Sequence, residues 1–272
     1  MATPIGNLGD ITHRAVAVLD AVELIAAEDT RHSQRLLTHL GLTRRLLSLH
    51  EHNESERVEA ILATLAEGGC VALISDAGTP LISDPGYRLV RAAQEHGHPV
   101  SPVPGPCSPI AALCAAGLPT DRFAFEGFLP ARGSARRSRL EQLSADSRTL
   151  VFLESPHRIG ATLTDMVGAF GAHREAAIAR ELTKLHEHIL RTTLGELADR
   201  SATSSELSRG EIVLLVRGAE SATQSSDAEI RRLLGLLSME LPPARAAALA
   251  AKITGRPRRE LYALAQTLVD SR

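Results

Sequence analysis

Residues 75–86, with the sequence SDAGTPLISDPG, constrain the fold of this chain more than any other stretch. They follow a short apolar run at residues 70–74 that is typical of a buried strand, and they precede a helical pattern that opens with Asp84 as N-cap. Gly78 can adopt positive φ and lets a ligand approach the backbone, while Asp76 or Asp84 can accept hydrogen bonds from a hydroxyl or ammonium group. Ligands in open α/β sheets bind at the carboxyl ends of strands, so this is either a binding loop or only a capped strand-to-helix turn.

The same alternation of strand and helix extends through the first part of the chain. Short apolar runs predict strands at residues 24–27, 46–49, 70–74 and 100–103, and a helical pattern follows each of them. Such alternation is typical of a parallel sheet with helices on both faces. We therefore predict an N-terminal α/β domain over residues 1–117.

The pattern changes near residue 118, where we predict a domain boundary. Further strands are predicted at residues 123–129, 149–154, 176–181, 187–193 and 211–216. The last two have no long helical pattern between them, so we expect them to pair antiparallel and to produce a mixed sheet. This is a second α/β domain, over residues 118–217.

The end of the chain predicts a linker and a small helical module. Residues 218–226 are small and polar, as in flexible linkers. Residues 227–272 contain helical segments with eight basic and five acidic residues. Their outline resembles a helix-turn-helix, and a module that packs in a dimer is the alternative.

Composition limits the classes of function. The formal net charge of −2 excludes a globally basic nucleic-acid binder, so any such contact would need local patches. Cys70, Cys107 and Cys114 form no CxxC pair, which argues against a disulfide framework and against a structural zinc site. We expect a reducing cytoplasm, with no leader segment and no membrane span.

Two charged clusters are candidates for chemistry. Glu28, Asp29 and Arg31 come directly after the predicted strand at residues 24–27, where they either face a site or pair among themselves. The second cluster is rich in arginine and comprises Arg132, Arg136, Arg137 and Arg139. It is either a patch that contacts phosphate or an ordinary solvated face.

Six motifs occur in an order that points to a known family. They are TPIGN at residues 3–7, AEDTR at 27–31, the loop at 75–86, PGPC at 104–107, ES with HR at 154–158, and ARELTK at 179–184. Together they resemble the tetrapyrrole methylase superfamily of S-adenosylmethionine-dependent methyltransferases. Within it, the chain resembles over essentially its whole length the enzymes that methylate a cytidine 2′-hydroxyl in 16S ribosomal RNA.

The resemblance implies two α/β domains with S-adenosylmethionine in the cleft between them, usually in a homodimer, and no metal or membrane. The substrate implied is 16S ribosomal RNA or the small ribosomal subunit. The cofactor contacts implied are Ile5, Gly6, Asp76, Ala77, Gly78, Leu81, Cys107, Ser108, Glu154 and Leu182. Asp29, Glu28 and Glu154 are candidates for the base that takes the ribose proton, with Arg31 positioning a phosphate. The predicted contacts to RNA phosphate are Arg132, Arg136, Arg137, Arg256, Arg258 and Arg259.

Two alternatives and one irregularity accompany this interpretation. The alternatives are a corrinoid or porphyrin C-methyltransferase of the same fold and a non-catalytic RNA-binding assembly factor. The irregularity is that relatives have an apolar strand directly before the TPIG turn, whereas only Met1 and Ala2 precede Thr3 here. We expect the natural chain to carry an additional β-rich segment there, because an incomplete parallel sheet leaves backbone groups unpaired.

Overall fold

The structure, a computed structural model, describes residues 1–50, 52–204, 207, 209–220 and 227–270. It divides into two compact units, Met1–Gly218 and Ala219–Arg272. Residues 221–226, most of the predicted linker, lie outside the described residues.

The first unit contains two sheets and the helices that cover them. Its strands are β1 Leu24–Ala27, β2 Leu46–Ser48, β3 Val71–Ile74, β4 Phe123–Phe128, β5 Thr149–Glu154, β6 Glu175–Arg180, β7 His188–Thr193 and β8 Ile212–Val216. Its helices are α1 His13–Ala21, α2 Thr30–His39, α3 Glu54–Ala66, α4 Tyr87–Glu95, α5 Ser108–Ala115, α6 Gly133–Leu143, α7 Ile159–Phe170 and α8 Leu194–Thr203. The predicted α/β fold class is confirmed.

The first sheet is parallel, in the order β2-β1-β3. All four side chains of β1 are buried, and they alternate between the two faces because successive residues of a strand point in opposite directions. Ile25 packs with Leu19 of α1 and Leu37 of α2, whereas Leu24 packs with Ile61 of α3 and Leu89 of α4. Helices therefore cover both faces, as predicted.

Two expectations about this half are wrong. Residues 100–103 do not form a strand, because prolines at 99, 102 and 104 remove the backbone donors that a ladder needs. The helix after the loop begins at Tyr87 with Gly86 as N-cap, not at Asp84. Ser83 at φ 66° and Gly86 at φ 122° keep the intervening chain out of helical geometry.

The N-terminus lies between β3 and residues 100–103. The Met1 ammonium group donates to the Leu73 carbonyl at 2.8 Å, and the Ala2 N–H donates to the Val103 carbonyl at 3.2 Å. Burial lowers the pKa of the Met1 ammonium group below its usual value. An apolar cavity of about 650 Å³, here called the apolar groove, runs along the same stretch of β3 and is lined by Leu73, Val100 and Val103 among others. An additional strand before Thr3 stays a prediction.

The second sheet is mixed, in the order β4-β5-β8-β6-β7, with only β4 and β5 parallel. The expected pairing of β7 with β8 is wrong, because β8 lies between β5 and β6 while β7 pairs with β6. A helix, α8, also separates β7 from β8. Burial explains the order: every residue of β8 is buried, as suits a central strand, whereas β7 is mostly half-buried, as suits an edge.

Helix α5 joins the two halves of the first unit. Its residues Ala112 and Leu113, with Ala116 at its C-cap, pack with Val151 and Leu215 of the second sheet. Ile5, from the N-terminal turn, belongs to the same apolar cluster.

The second unit is helical, with α9 Asp227–Glu240, α10 Pro243–Thr254 and α11 Arg258–Asp270. Its buried core comprises Ile230, Leu234, Ala247, Ala250, Leu261 and Ala265.

Candidate functional site

Three of the motifs meet at the end of β3. Thr3 and Gly78 form an antiparallel bridge, with N–H···O distances of 2.8 and 3.0 Å. The Thr79 hydroxyl donates to the Pro106 carbonyl at 2.9 Å. Gly78 has φ +82°, and a Cβ placed there would lie 3.3 Å from Cγ2 of Ile5. The TPIGN turn, the loop at 75–86 and the PGPC turn are thus held together by hydrogen bonds.

One cavity opens between this junction and the second sheet. This first cavity has a volume of about 380 Å³ and is lined by the loop after β3, the start of α5 and the ends of β5, β6 and β8. Its walls include five of the ten predicted cofactor residues: Ile5, Ala77, Ser108, Glu154 and Leu182.

A second cavity, of about 330 Å³, lies beside the first, against α2. Of the predicted cofactor residues it is lined by Ile5, Gly6, Asp76 and Ala77. Ile5, Ala77 and Glu211 line both cavities, so the two spaces are adjacent.

The three remaining cofactor candidates line neither of these two cavities. Leu81 and Cys107 line the apolar groove, and Gly78 lies against the Ile5 side chain. For these residues the cofactor role stays a prediction.

Two carboxylates of the first cavity are held in different ways. Burial raises the pKa of the half-buried Asp84 carboxyl; a hydrogen bond with the Ser75 hydroxyl opposes this shift, and repulsion from Asp76 adds to it. Glu154 is buried, and its two oxygens accept hydrogen bonds from the Ser155 N–H at 2.7 Å and the Thr162 hydroxyl at 2.6 Å. These bonds fix the Glu154 carboxylate in the wall of the cavity.

The charged cluster after β1 pairs largely within itself. The Asp29 carboxylate accepts hydrogen bonds from the Arg31 guanidinium and the Arg31 N–H, which lower the pKa of Asp29 to about 2. The N–H of Asp29 donates to the Asp76 carboxylate at 2.9 Å. Asp29, Glu28 and Arg31 line neither the first nor the second cavity, and their catalytic roles stay predictions.

Several residues of the second cavity were not singled out from the sequence. His32, Ser33 and Arg35 project from α2, and Lys184 and Glu211 form an ion pair of 3.1 Å. Lys184 does belong to the ARELTK motif. Nothing in the local sequence sets apart the residues on α2, because only the fold brings this helix beside the loop at 75–86.

The predicted RNA-binding arginines differ in exposure. Arg132 and Arg137 are exposed near the start of α6, whereas Arg136 is buried and its Nε donates to Asp165 of α7 at 2.8 Å. In the helical unit Arg258 and Arg259 are exposed. There Arg256 pairs with Glu260.

In the part of the chain that the structure describes, no group of three or more His, Cys, Asp or Glu side chains is arranged to hold a metal ion. No described helix is both long enough and apolar enough to cross a bilayer.

Comparison with protein families gives two matches. The family described as Tetrapyrrole (Corrin/Porphyrin) Methylases matches residues 2–198, and the RsmI C-terminal HTH domain matches residues 224–268.

Comparison with known sequences finds relatives of nearly the same length. A ribosomal RNA small subunit methyltransferase I from Pseudomonas aeruginosa is 55% identical over 264 residues, covering 96% of this chain and 94% of the relative. One from Xylella fastidiosa is 52% identical over 262 residues, covering 96% of each.

Solved structures share the fold at low sequence identity. A uroporphyrin-III C-methyltransferase from Thermus thermophilus has a TM-score of 0.57 at 22% identity, covering 79% of this chain and 91% of that one. The cobalt precorrin-4 methyltransferase CbiF has a TM-score of 0.59 at 19% identity, covering 78% and 90%.

Proposed function

The chain belongs to the tetrapyrrole methylase family, and from this premise we propose that it methylates small-subunit ribosomal RNA with S-adenosylmethionine as methyl donor. The observation that carries the proposal is the identity of 52–55% to ribosomal RNA methyltransferases over 96% of the chain. The match of residues 224–268 to the C-terminal domain of the same enzymes supports it. The position we propose is the ribose 2′-hydroxyl of a cytidine.

The first cavity suits the methyl donor. Its volume of about 380 Å³ lies within the range of roughly 300–1,000 Å³ that is usual for small-molecule sites. Leu182, Ile212 and Val213 offer an apolar wall for a flat base, and the Asp84 carboxyl offers a partner for an ammonium or hydroxyl group. The loop after β3 and the strands β5, β6 and β8 of the second sheet both contribute residues to its walls.

When bound, S-adenosylmethionine supplies a methyl group on a positively charged sulfur, which is already electrophilic. The protein then has to hold the ribose hydroxyl in line with that methyl group and provide a proton acceptor. Asp29, Glu28 and Glu154 are the predicted acceptors, but a carboxyl group with a pKa of about 2, as at Asp29, is a weak base near neutral pH.

The test is methyl incorporation from labelled S-adenosylmethionine into small-subunit RNA, into assembled small subunits, and into uroporphyrinogen. We expect label in RNA, on a ribose, and none in the tetrapyrrole. Label in uroporphyrinogen alone would contradict the proposal. Failure of S-adenosylmethionine to bind in calorimetry would instead indicate a non-catalytic RNA-binding protein.

We further propose that the enzyme acts as a homodimer in the cytoplasm, where ribosomal subunits are assembled. Light scattering of the purified protein tests the homodimer, and a measured mass near that of one chain would contradict it.

A further inference from the structure

We propose that the second cavity binds the nucleotide that accepts the methyl group, an inference that rests on the proposed function. The second cavity shares Ile5, Ala77 and Glu211 with the first. A ribose in the second cavity would therefore lie beside a methyl donor in the first, as a direct transfer requires.

A buried hydroxyl group without a partner points to a ligand in this cavity. Ser33 is 2% exposed and lines the cavity, and its Oγ has no hydrogen-bond partner among the described residues. A buried polar group left unsatisfied costs free energy, and a sugar hydroxyl or a base edge would satisfy it.

The two cationic side chains that line the cavity, Lys184 and Arg35, differ in whether they form ion pairs. Lys184 is neutralised by ion pairs with Glu181 at 3.0 Å and Glu211 at 3.1 Å. Arg35 is exposed and has no ion pair among the described residues, so its guanidinium is available for a phosphate, which it can bind through two parallel hydrogen bonds.

The remaining walls suit the other parts of a nucleotide. His32 is exposed beside Ser33 and offers a ring on which an unpaired RNA base can stack. The Glu211 carboxylate, at the boundary of the two cavities, can accept a hydrogen bond from the ribose hydroxyl. We therefore place the phosphate at Arg35, the base at His32 and Ser33, and the ribose toward Glu211.

The experiment uses the full chain with Arg35→Gln, Ser33→Leu and, as a matched control, Arg57→Gln on α3. Arg57 is exposed and lines neither cavity. Binding of small-subunit RNA is measured by fluorescence anisotropy at several salt concentrations, S-adenosylmethionine binding by calorimetry, and methylation by steady-state kinetics.

For Arg35→Gln we expect RNA affinity about 10-fold weaker and a salt slope lower by about 1, because one phosphate contact is lost. Ser33→Leu fills the cavity and should raise the KM for RNA. Both variants should keep wild-type affinity for S-adenosylmethionine, and Arg57→Gln should match the wild type in every measurement.

Wild-type RNA affinity in Arg35→Gln would overturn the proposal, and this exposed residue keeps the test valid even if Ser33→Leu fails to fold. Parallel loss of S-adenosylmethionine binding would also overturn it, because the second cavity would then belong to the methyl donor. A wild-type protein that methylates no RNA would refute the proposed function instead.

Discussion

Replacing Gly78 with alanine has two expected effects, which are backbone strain at this position and displacement of the Ile5 side chain in the cavity wall. At φ +82° an alanine lowers the free energy of unfolding by roughly 1–2 kcal/mol relative to glycine. In a unit of this size 1 kcal/mol lowers the Tm by about 2–4 °C, so we expect Gly78→Ala to lower it by about 2–8 °C. The new Cβ would also lie 3.3 Å from Cγ2 of Ile5 and would displace that side chain by a few tenths of an ångström.

The displacement of Ile5 should weaken cofactor binding modestly. Each of its contacts contributes about 0.1–0.2 kcal/mol, and a small gap forfeits a quarter or more of that. Over about ten contacts of the Ile5 side chain the loss is about 0.3–0.5 kcal/mol, so we expect the dissociation constant for S-adenosylmethionine, measured by calorimetry, to be about twofold higher.

Gly97→Ala is the matched control. Gly97 has φ +77°, and a Cβ placed there would meet nothing within 4 Å. It should therefore reproduce the loss of stability without the loss of affinity. Equal dissociation constants in the two variants, or an unchanged Tm in Gly78→Ala, would refute the reasoning.

Five further variants test charged residues. Arg136→Gln should lower the free energy of unfolding in urea by about 3 kcal/mol, because it removes the main partner of the half-buried Asp165 carboxylate, which still has Arg137 at 3.5 Å. The exposed Arg137→Gln should cost about 1 kcal/mol or less. The folded-state pKa of Asp29 is about 2, below the ordinary value of 3.8, so the carboxylate stabilises the protein above pH 3.8 and this contribution is lost as the pH falls toward 2. Asp29→Asn should therefore be less stable than the wild type at neutral pH and should approach it as thermal melts are taken from pH 4 to pH 2. Arg258→Gln and Arg259→Gln should each lower the salt slope of RNA binding by about 1 and leave the methylated nucleotide unchanged, as mapping of the modified ribose would verify.

The sequence predicted best where a strand is a short, continuous apolar run. β1, β3 and β5 are short apolar runs bounded by polar or glycine residues, and local composition alone identifies them. The order of the second sheet was not predictable in this way. β7 and β8 are neighbours in the chain, and the insertion of β8 between β5 and β6 depends on which strand buries both faces.

The site was predictable to the extent that its residues belong to glycine- and proline-containing turns. Ile5, Ala77 and Ser108 were placed by such motifs, and all three line the first cavity. Ser33 and Arg35 were missed because they sit in an ordinary amphipathic helix. Their position beside the loop results from tertiary packing of α2.

Backbone strain provides a second link between the sequence and the cavities. Among the described residues, those other than glycine with positive φ are Leu81, Ser83, Glu181 and Thr183. They lie in the loops after β3 and after β6, and both loops contribute to the first cavity, through Ser83 and Leu182. Left-handed geometry at a residue with a side chain costs on the order of 1 kcal/mol of folding stability. Glycine at these positions would therefore give a more stable fold. A residue with a side chain has fewer accessible conformations than glycine, and a cavity wall built from such residues loses less entropy when a ligand binds. The strain in the two loops is therefore consistent with a binding site that is largely ordered before the methyl donor enters.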